Sequence, residues 1–482
     1  MLRRVGFWLG VGAFLVLQAL PVPPGLSVAA WQTAAVAVLM GTWWFTEAVP
    51  IPITGSLPFV LLPLLGVQEA ATVSSNYMAP VLFLVLGGAI LGLATEKWGL
   101  HRRLALLLVK RSRPEPHHLV LALMLATAVM SMIVNNTATT VMMLPIAAAI
   151  ATAVTAPAGG IDESARRQFF CAIFLSIALA SNMGGFITPV GTPVNPVVME
   201  LLNRQFGVEL SFLQWMGFGL PLVALALPTA WWFITRELRR AHYPTLSRAD
   251  IAAAVGEQGP LTGPEWRVIG VLALTSITWI ALPWLRSLAP SLAALSAPTV
   301  AMLAALALCL LPSGAPQSAT GARDERLLEW RDCQKAPWFL VFLLGGGLAL
   351  ADAIVSTGLS DWIGAALGGV SALPYLLLLV VVALICIAVT ECSSQVGTAV
   401  TFMPIVAALA IAGGHDPVPV ALAAGLAASW GVANPAGTSS NAMVIATGHV
   451  PVARFIRTGL FVDLLGALLI ALVCATVVRV IL

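Results

Sequence analysis

The stretch Asn135-Asn136-Thr137-Ala138-Thr139-Thr140, which runs on to Leu144-Pro145, decides how the rest of the chain is interpreted. It lies between apolar runs, where unpaired amides and hydroxyls are costly inside a bilayer. A second polar stretch, Ser394-Gln395-Val396-Gly397-Thr398-Ala399, runs on to Met403-Pro404, and each stretch begins 10 residues before its proline. We predict two re-entrant hairpins that face each other across a substrate site. Asn135–Thr137 is called the first tip and Ser394–Val396 the second tip.

The composition indicates an integral, all-α membrane protein in a bacterial inner membrane. Of 482 residues, 59% are hydrophobic and only 9% charged, against about 25% in soluble proteins. The net charge of +3 gives no reason to expect a nucleic-acid partner. The sequence has no P-loop, HExxH motif or nucleophile elbow, so no enzyme is predicted. Five acidic residues near predicted span ends are interpreted as snorkelling or interhelical partners rather than proton relays, with Glu391 the strongest exception because it precedes the second tip: Glu47, Glu96, Asp352, Glu391 and Asp463.

Apolar runs of sufficient length predict about 11 transmembrane helices in addition to the two hairpins, at 118–156 and 372–413. With the N-terminus in the cytoplasm, the basic segments 97–117, 236–249 and 454–457 all fall inside, and the C-terminus lies outside. Two full spans in place of each hairpin give the same parity, so charge alone does not establish re-entrance.

The chain contains an internal repeat. Leu86-Gly87-Gly88 matches Gly345-Gly346-Gly347, and the same offset of 259 residues carries the first tip onto the second. Gly191–Asn195 matches Gly437–Asn441 at an offset of 246. On the predicted topology the two repeats are inverted, and paired interrupted helices in inverted repeats are typical of the midplane site of a secondary transporter.

The tips and the two Gly-Thr stretches suit a cation and an anion together. Broken helices expose carbonyl oxygens, which suit sodium, and N–H groups, which suit a carboxylate. No Arg or Lys lies near these stretches in sequence, so an anion there needs amide donors, helix ends and co-bound cations. Single Ser, Thr or Gly residues in membrane helices usually serve packing, but four symmetric polar stretches favour a site.

The sequence resembles the divalent anion:sodium symporter family along nearly its whole length. The resemblance rests on Trp43–Pro52, on Glu96–Arg103 and on Asn434–Val450. It implies a homodimer in which a transport domain slides past a scaffold domain like an elevator. The implied division is a scaffold part at 1–117, a transport part at 118–205, a scaffold part at 206–371 with a cytoplasmic linker at 237–264, a transport part at 372–449, and a final transmembrane helix at 450–482.

The resemblance also implies the ligands. The first sodium ion would meet Ser131, Asn135, Asn136 and Gly191, and the second Thr390, Ser393, Gln395 and Gly437. The substrate would meet Asn135, Asn136, Thr137, Thr192, Pro193, Ser394, Gln395, Val396, Thr438 and Ser439. The family motif at each tip is Ser-Asn-Thr, so Asn135, Gln395 and Val396 are departures, and Gln395 puts the second sodium site in doubt.

Three hypotheses follow. The first is sodium-coupled import of a C4-dicarboxylate such as succinate, malate or fumarate; citrate or sulfate is an alternative substrate. The second is a sodium-independent anion exchanger of the same fold. The third is a non-transporting receptor or structural protein, against which stands the lack of any stretch long enough for a soluble signalling domain. A Gln395→Asn change is expected to steepen the sodium dependence if the second site is merely weakened.

Overall fold

A computed structural model describes residues 2–155, 162–240, 243, 259–288, 290–314, 325–366 and 373–481. Within these ranges the regular structure is helical, apart from an isolated bridge between Pro312 and Arg326. The helices before residue 240 are α1 Leu2–Ala19, α2 Val28–Thr46, α3 Ile51–Gly55, α4 Leu57–Leu64, α5 Ala70–Asn76, α6 Pro80–Lys97, α7 Leu100–Arg111, α8 Pro116–Ser131, α9 Asn136–Val154, α10 Glu163–Gly185, α11 Val194–Phe206 and α12 Phe212–Thr235. The later ones are α13 Gly263–Leu288, α14 Ala297–Leu310, α15 Trp330–Cys333, α16 Leu340–Ser356, α17 Leu359–Ala366, α18 Tyr375–Cys392, α19 Gln395–Ala412, α20 Pro417–Trp430, α21 Ser439–Ala446, α22 Val452–Thr476 and α23 Val478–Ile481.

The membrane-protein prediction is confirmed. In the described ranges, nine helices are long and apolar enough to cross a membrane, or ten when the bent pair α16 and α17 counts as one span. The more exact count of 11 stays a prediction. Most of the predicted linker 237–264 lies outside the described residues, as do 367–371 of the predicted scaffold part, 372 at the start of the second predicted hairpin, and the terminal residue 482.

The order of the helices repeats. The series α6 to α12 has the same order of long, short and interrupted helices as α16 to α22. In each series a helix–tip–helix pair comes first, α8 with α9 and α18 with α19, and the two members of each pair contact each other. An interrupted helix follows, α10 with α11 and α20 with α21. We call the interruptions the first break, 186–193, and the second break, 431–438.

Each tip starts a helix by capping it. The Asn135 side chain accepts a hydrogen bond of 2.8 Å from the amide of Ala138, and the Ser394 hydroxyl accepts one of 3.4 Å from the amide of Gly397. Asn and Ser are favoured caps because their side chains satisfy a free N–H group at the helix start. The polar tip residues therefore end one helix and begin the next.

Glycines let the helices of the repeat approach closely. A Cβ atom added at Gly346 in α16 would lie 1.8 Å from the carbonyl oxygen of Gly55 in α3. The same oxygen accepts a hydrogen bond of 2.7 Å from the Tyr77 hydroxyl. The backbone of α3 is thus held between Tyr77 and Gly346, which explains the Gly-Gly-Gly run that marks the repeat.

We expect Gly346→Ala to destabilise the protein by about 1–3 kcal/mol, because a backbone atom must move to admit the methyl group. Thermal unfolding of the detergent-solubilised protein measures this. Gly12→Ala in α1 is the matched control, since a Cβ atom there meets nothing within 4 Å; it should leave the transition unchanged or raise it slightly. Equal behaviour of the two variants would contradict the close crossing.

Candidate substrate and cation site

Both tips and both breaks line one cavity of about 940 Å³. It brings together thirteen of the fifteen residues that the sequence singled out: Asn135, Asn136, Thr137, Gly191, Thr192, Pro193, Ser393, Ser394, Gln395, Val396, Gly437, Thr438 and Ser439. The other two, Ser131 and Thr390, are buried directly behind the tips. Residues that are more than 300 positions apart in the chain therefore meet around one space.

Behind the first tip lies a continuous polar network. The Ser131 hydroxyl lies 2.7 Å from Oδ1 of Asn136 and 2.6 Å from the carbonyl oxygen of Ser181 in α10. The Asn136 amide nitrogen donates over 3.5 Å to Oδ1 of Asn182, one residue further along α10. Oxygen atoms of hydroxyl, amide and carbonyl groups are thus gathered within one turn of the tip.

The second tip makes the same contacts with different side chains. The Thr390 hydroxyl donates over 2.9 Å to the carbonyl oxygen of Ala428, and Nε2 of Gln395 donates over 3.1 Å to that of Ser429. Ala428 and Ser429 stand 247 residues after Ser181 and Asn182. In the first repeat the Asn182 side chain extends to meet Asn136, whereas in the second Gln395 extends to the backbone because Ser429 is short. The extra methylene of Gln395 therefore replaces a missing asparagine on the facing helix.

Two contacts join the repeats across the cavity. The hydroxyls of Thr137 and Ser439 lie 2.5 Å apart, and the Asn182 amide nitrogen donates over 2.9 Å to Oδ1 of Asn441. Each contact links the first repeat to the second break. The first tip thus lies against the break of the other repeat as well as beside its own.

Several cavity or network residues were missed by the sequence reasoning. Asn182 and Asn441 are separated by 259 residues, so the repeat register could have found them. Arg3 also lines the cavity, where it pairs with Glu47 over 3.1 Å, although no basic residue was expected near the polar stretches. Arg3 lies more than 130 residues before the first tip, and its sequence neighbourhood gives no sign of this position.

The arrangement offers groups for ions of both signs. Carbonyl, amide and hydroxyl oxygens at the tips are ligands that a hard monovalent cation accepts. The helices α9, α19 and α21 begin at the cavity, with Asn135, Ser394 and Thr438 as their caps. Helix N-termini carry partial positive charge and favour an anion. The three charged side chains among the described lining residues are Arg3, Glu47 and Glu391.

Comparison with known proteins decides the family. The citrate transporter family model CitMHS matches residues 41–427. A protein of Staphylococcus saprophyticus named sodium-dependent dicarboxylate transporter SdcS is 32% identical over 98% of this chain and 90% of its own length. The chain belongs to the divalent anion:sodium symporter family. A Staphylococcus aureus protein of the same name is 31% identical to this symporter-family chain over its whole length and 92% of the relative. The family consists of membrane transporters rather than enzymes.

Solved structures show how widely the fold is shared. The Alcanivorax borkumensis YdaH transporter gives a TM-score of 0.58 at 14% identity, over 94% of the symporter-family chain and 99% of the other. Neisseria gonorrhoeae MtrF, described as an antimetabolite efflux pump, gives 0.57 at 15% identity, over 96% and 97%. At these identities the likeness concerns the fold alone.

Proposed function

We propose that the protein imports a C4-dicarboxylate such as succinate, malate or fumarate together with sodium. The observation that carries this proposal is the meeting of two tips and two breaks around one cavity. Behind each tip, hydroxyl and amide groups lie against carbonyl oxygens of the facing helix, which gives two similar candidate sodium positions. The relatives named sodium-dependent dicarboxylate transporter support this assignment.

The roles of the residues follow the two repeats. In this proposal Ser131, Asn135, Asn136 and Gly191 hold the first sodium ion. Thr390, Ser393, Gln395 and Gly437 hold the second. The substrate carboxylates bind between the tips and breaks, at Asn135, Asn136, Thr137, Thr192, Pro193, Ser394, Gln395, Val396, Thr438 and Ser439. The sodium ions then balance a dianion that only Arg3 could otherwise neutralise.

The proposal includes movement. The segments 118–205 and 372–449 carry the tips and breaks, and we propose that they move together as a transport domain against scaffold segments 1–117 and 206–371, in a homodimer with the N-terminus in the cytoplasm and the C-terminus outside. The contacts between Thr137 and Ser439 and between Asn182 and Asn441 support one moving body. If more positive charge enters than the dianion carries, the membrane potential contributes about 2.3 kcal/mol per net charge per 100 mV.

Uptake of radiolabelled succinate into proteoliposomes tests the function. We expect uptake to require an inward sodium gradient, to stop when choline replaces sodium, and to increase with an inside-negative potential. Unlabelled malate, fumarate, citrate and sulfate, added as competitors, rank the anions. Uptake that is unaffected by sodium removal would contradict the proposal and would favour the sodium-independent exchanger.

A further inference from the structure

Two carboxyl groups meet at the second break, behind the cavity. Oε1 of Glu391, in α18, accepts a hydrogen bond of 2.7 Å from the amide of Ala433, and its Oε2 accepts one from the amide of Asn434. Oδ1 of Asp463, in α22, accepts one of 3.1 Å from the amide of Val432. Because these three amides are consecutive, the two carboxyl groups lie side by side. The sequence placed Asp463 near a span end, but the structure puts it in the interior of α22.

One of the four carboxyl oxygens is unsatisfied. Asp463 is only 5% exposed, and among the described residues its Oδ2 has no hydrogen-bond partner. The helix reaches this depth because Gly459, one turn earlier, lies against the backbone of Ala433. A buried carboxylate oxygen with no donor is costly, so the site lacks something that this oxygen can bind.

No basic side chain compensates the pair. The helices packed against α22 are α18, α20 and α12. On α18 the other titratable group inside the membrane segment near Glu391 is Cys386, with Cys392 exposed at its end, and α20 and α12 contain no charged residue. On α22 itself Arg457 is exposed and lies six residues from Asp463, while Arg454 pairs with Glu237. Across the cavity, Arg3 is paired with Glu47.

The geometry favours a proton over a metal ion. Three of the four oxygens already accept amide N–H groups, whose positive ends point into the space that a cation would need. A proton needs only the one free oxygen, and a protonated carboxyl group becomes a donor to its neighbour. One shared proton also leaves a single negative charge, which the three amides can stabilise.

The pair occurs in one repeat only. The residue 259 positions before Glu391 is Met132. In α12, Gly219 lies against the backbone of the first break as Gly459 lies against the second, and the residue four positions later is Val223 rather than an aspartate. The first repeat therefore builds the same crossing with apolar side chains, so the fold itself does not require the two acids.

We propose that Glu391 and Asp463 share one exchangeable proton beside the second cation position. Glu391 lines the cavity, so the proton exchanges with water there, while Asp463 lies behind it. A Cβ atom on Gly437 would lie 3.7 Å from Oε2 of Glu391, and Thr390 is the preceding residue. A sodium ion at the second position and this proton therefore repel each other, and each one weakens the binding of the other.

The proton site is tested without transport, by infrared spectroscopy of the full-length protein in nanodiscs. Near neutral pH, we expect wild-type protein to show the carbonyl stretching band of a protonated carboxyl group, and Asp463→Asn to lack it. The asparagine keeps the shape and can accept from Val432. Asp352→Asn is the matched control, since Asp352 is a membrane-segment acid that accepts from Gln68 over 3.0 Å; it should retain the band. An identical band in wild type and Asp463→Asn would overturn the proposal.

The link to sodium rests on the proposed function and is measured separately. Addition of sodium chloride to weakly buffered wild-type protein should release protons to a pH indicator, whereas choline chloride should not. The apparent sodium affinity should rise about tenfold as the pair deprotonates, and in Asp463→Asn it should not change with pH. Release that is unchanged in Asp463→Asn would overturn the link. If succinate is not transported but the infrared band behaves as expected, the proposed function fails and the proton site stands.

Discussion

Asn136→Ala should reduce sodium-driven succinate uptake by about 100-fold or more. Asn136 contacts both Ser131 and Asn182, and its loss leaves the buried Ser131 hydroxyl and Asn182 amide with fewer partners. Each unsatisfied buried group costs about 1–3 kcal/mol, and 1.4 kcal/mol is a factor of ten in binding. The same change removes a proposed sodium ligand and a proposed substrate contact, so the two losses combine.

The experiment needs a demonstration that the variant is folded. Initial uptake rates at saturating sodium are compared for wild type, Asn136→Ala and Asn203→Ala. Asn203 lies near the end of α11, outside the cavity, and its replacement should leave uptake within about twofold, as for most surface changes. Thermal unfolding shows whether each variant folds. Near wild-type uptake by a folded Asn136→Ala protein would refute the role of the first tip.

Gln395→Asn should weaken the second cation position, and Ser429→Asn should restore it. The sequence alone favoured a gain, because asparagine is the family residue at this position. The structure favours a loss, because Nε2 of Gln395 bonds to the carbonyl oxygen of Ser429 and a shorter side chain cannot reach it. In the first repeat, asparagine works because Asn182 extends to meet Asn136.

The pair is suited to a double-mutant cycle. We expect Gln395→Asn alone to raise the sodium concentration for half-maximal uptake by about three- to tenfold, the cost of one hydrogen bond. Ser429→Asn alone should also weaken uptake, because the larger side chain meets Gln395. The double variant, which reproduces the first repeat, should recover most of the sodium affinity. Strictly additive effects would show that the two residues do not act together.

Much of the fold and the outline of the site could be predicted from the sequence. Polar residues inside apolar runs are conspicuous because water is absent there, and the constant offset from Gly87-Gly88 to the first tip relates the two halves. Both signals are local or periodic. They identified thirteen residues that line one cavity and two that lie just behind it.

The remaining features depend on which helices meet, and a sequence does not state this. Arg3 reaches the cavity through the packing of α1 on α2, and the need for a glutamine at position 395 becomes clear only when Ser429 is seen opposite. Asp463 looked like a partner near a helix end because its depth depends on Gly459 and the second break. Contacts between distant segments thus explain what spacing could not.

The contact between Thr137 and Ser439 has a consequence for the origin of the chain. One repeat alone contains a tip and a break, but its tip lies against the break of the other repeat. A half-length ancestor would therefore have needed a second copy to enclose the cavity. If the repeats are inverted as the sequence predicts, that copy was inserted in the opposite orientation, and the ancestor was an antiparallel dimer of dual topology.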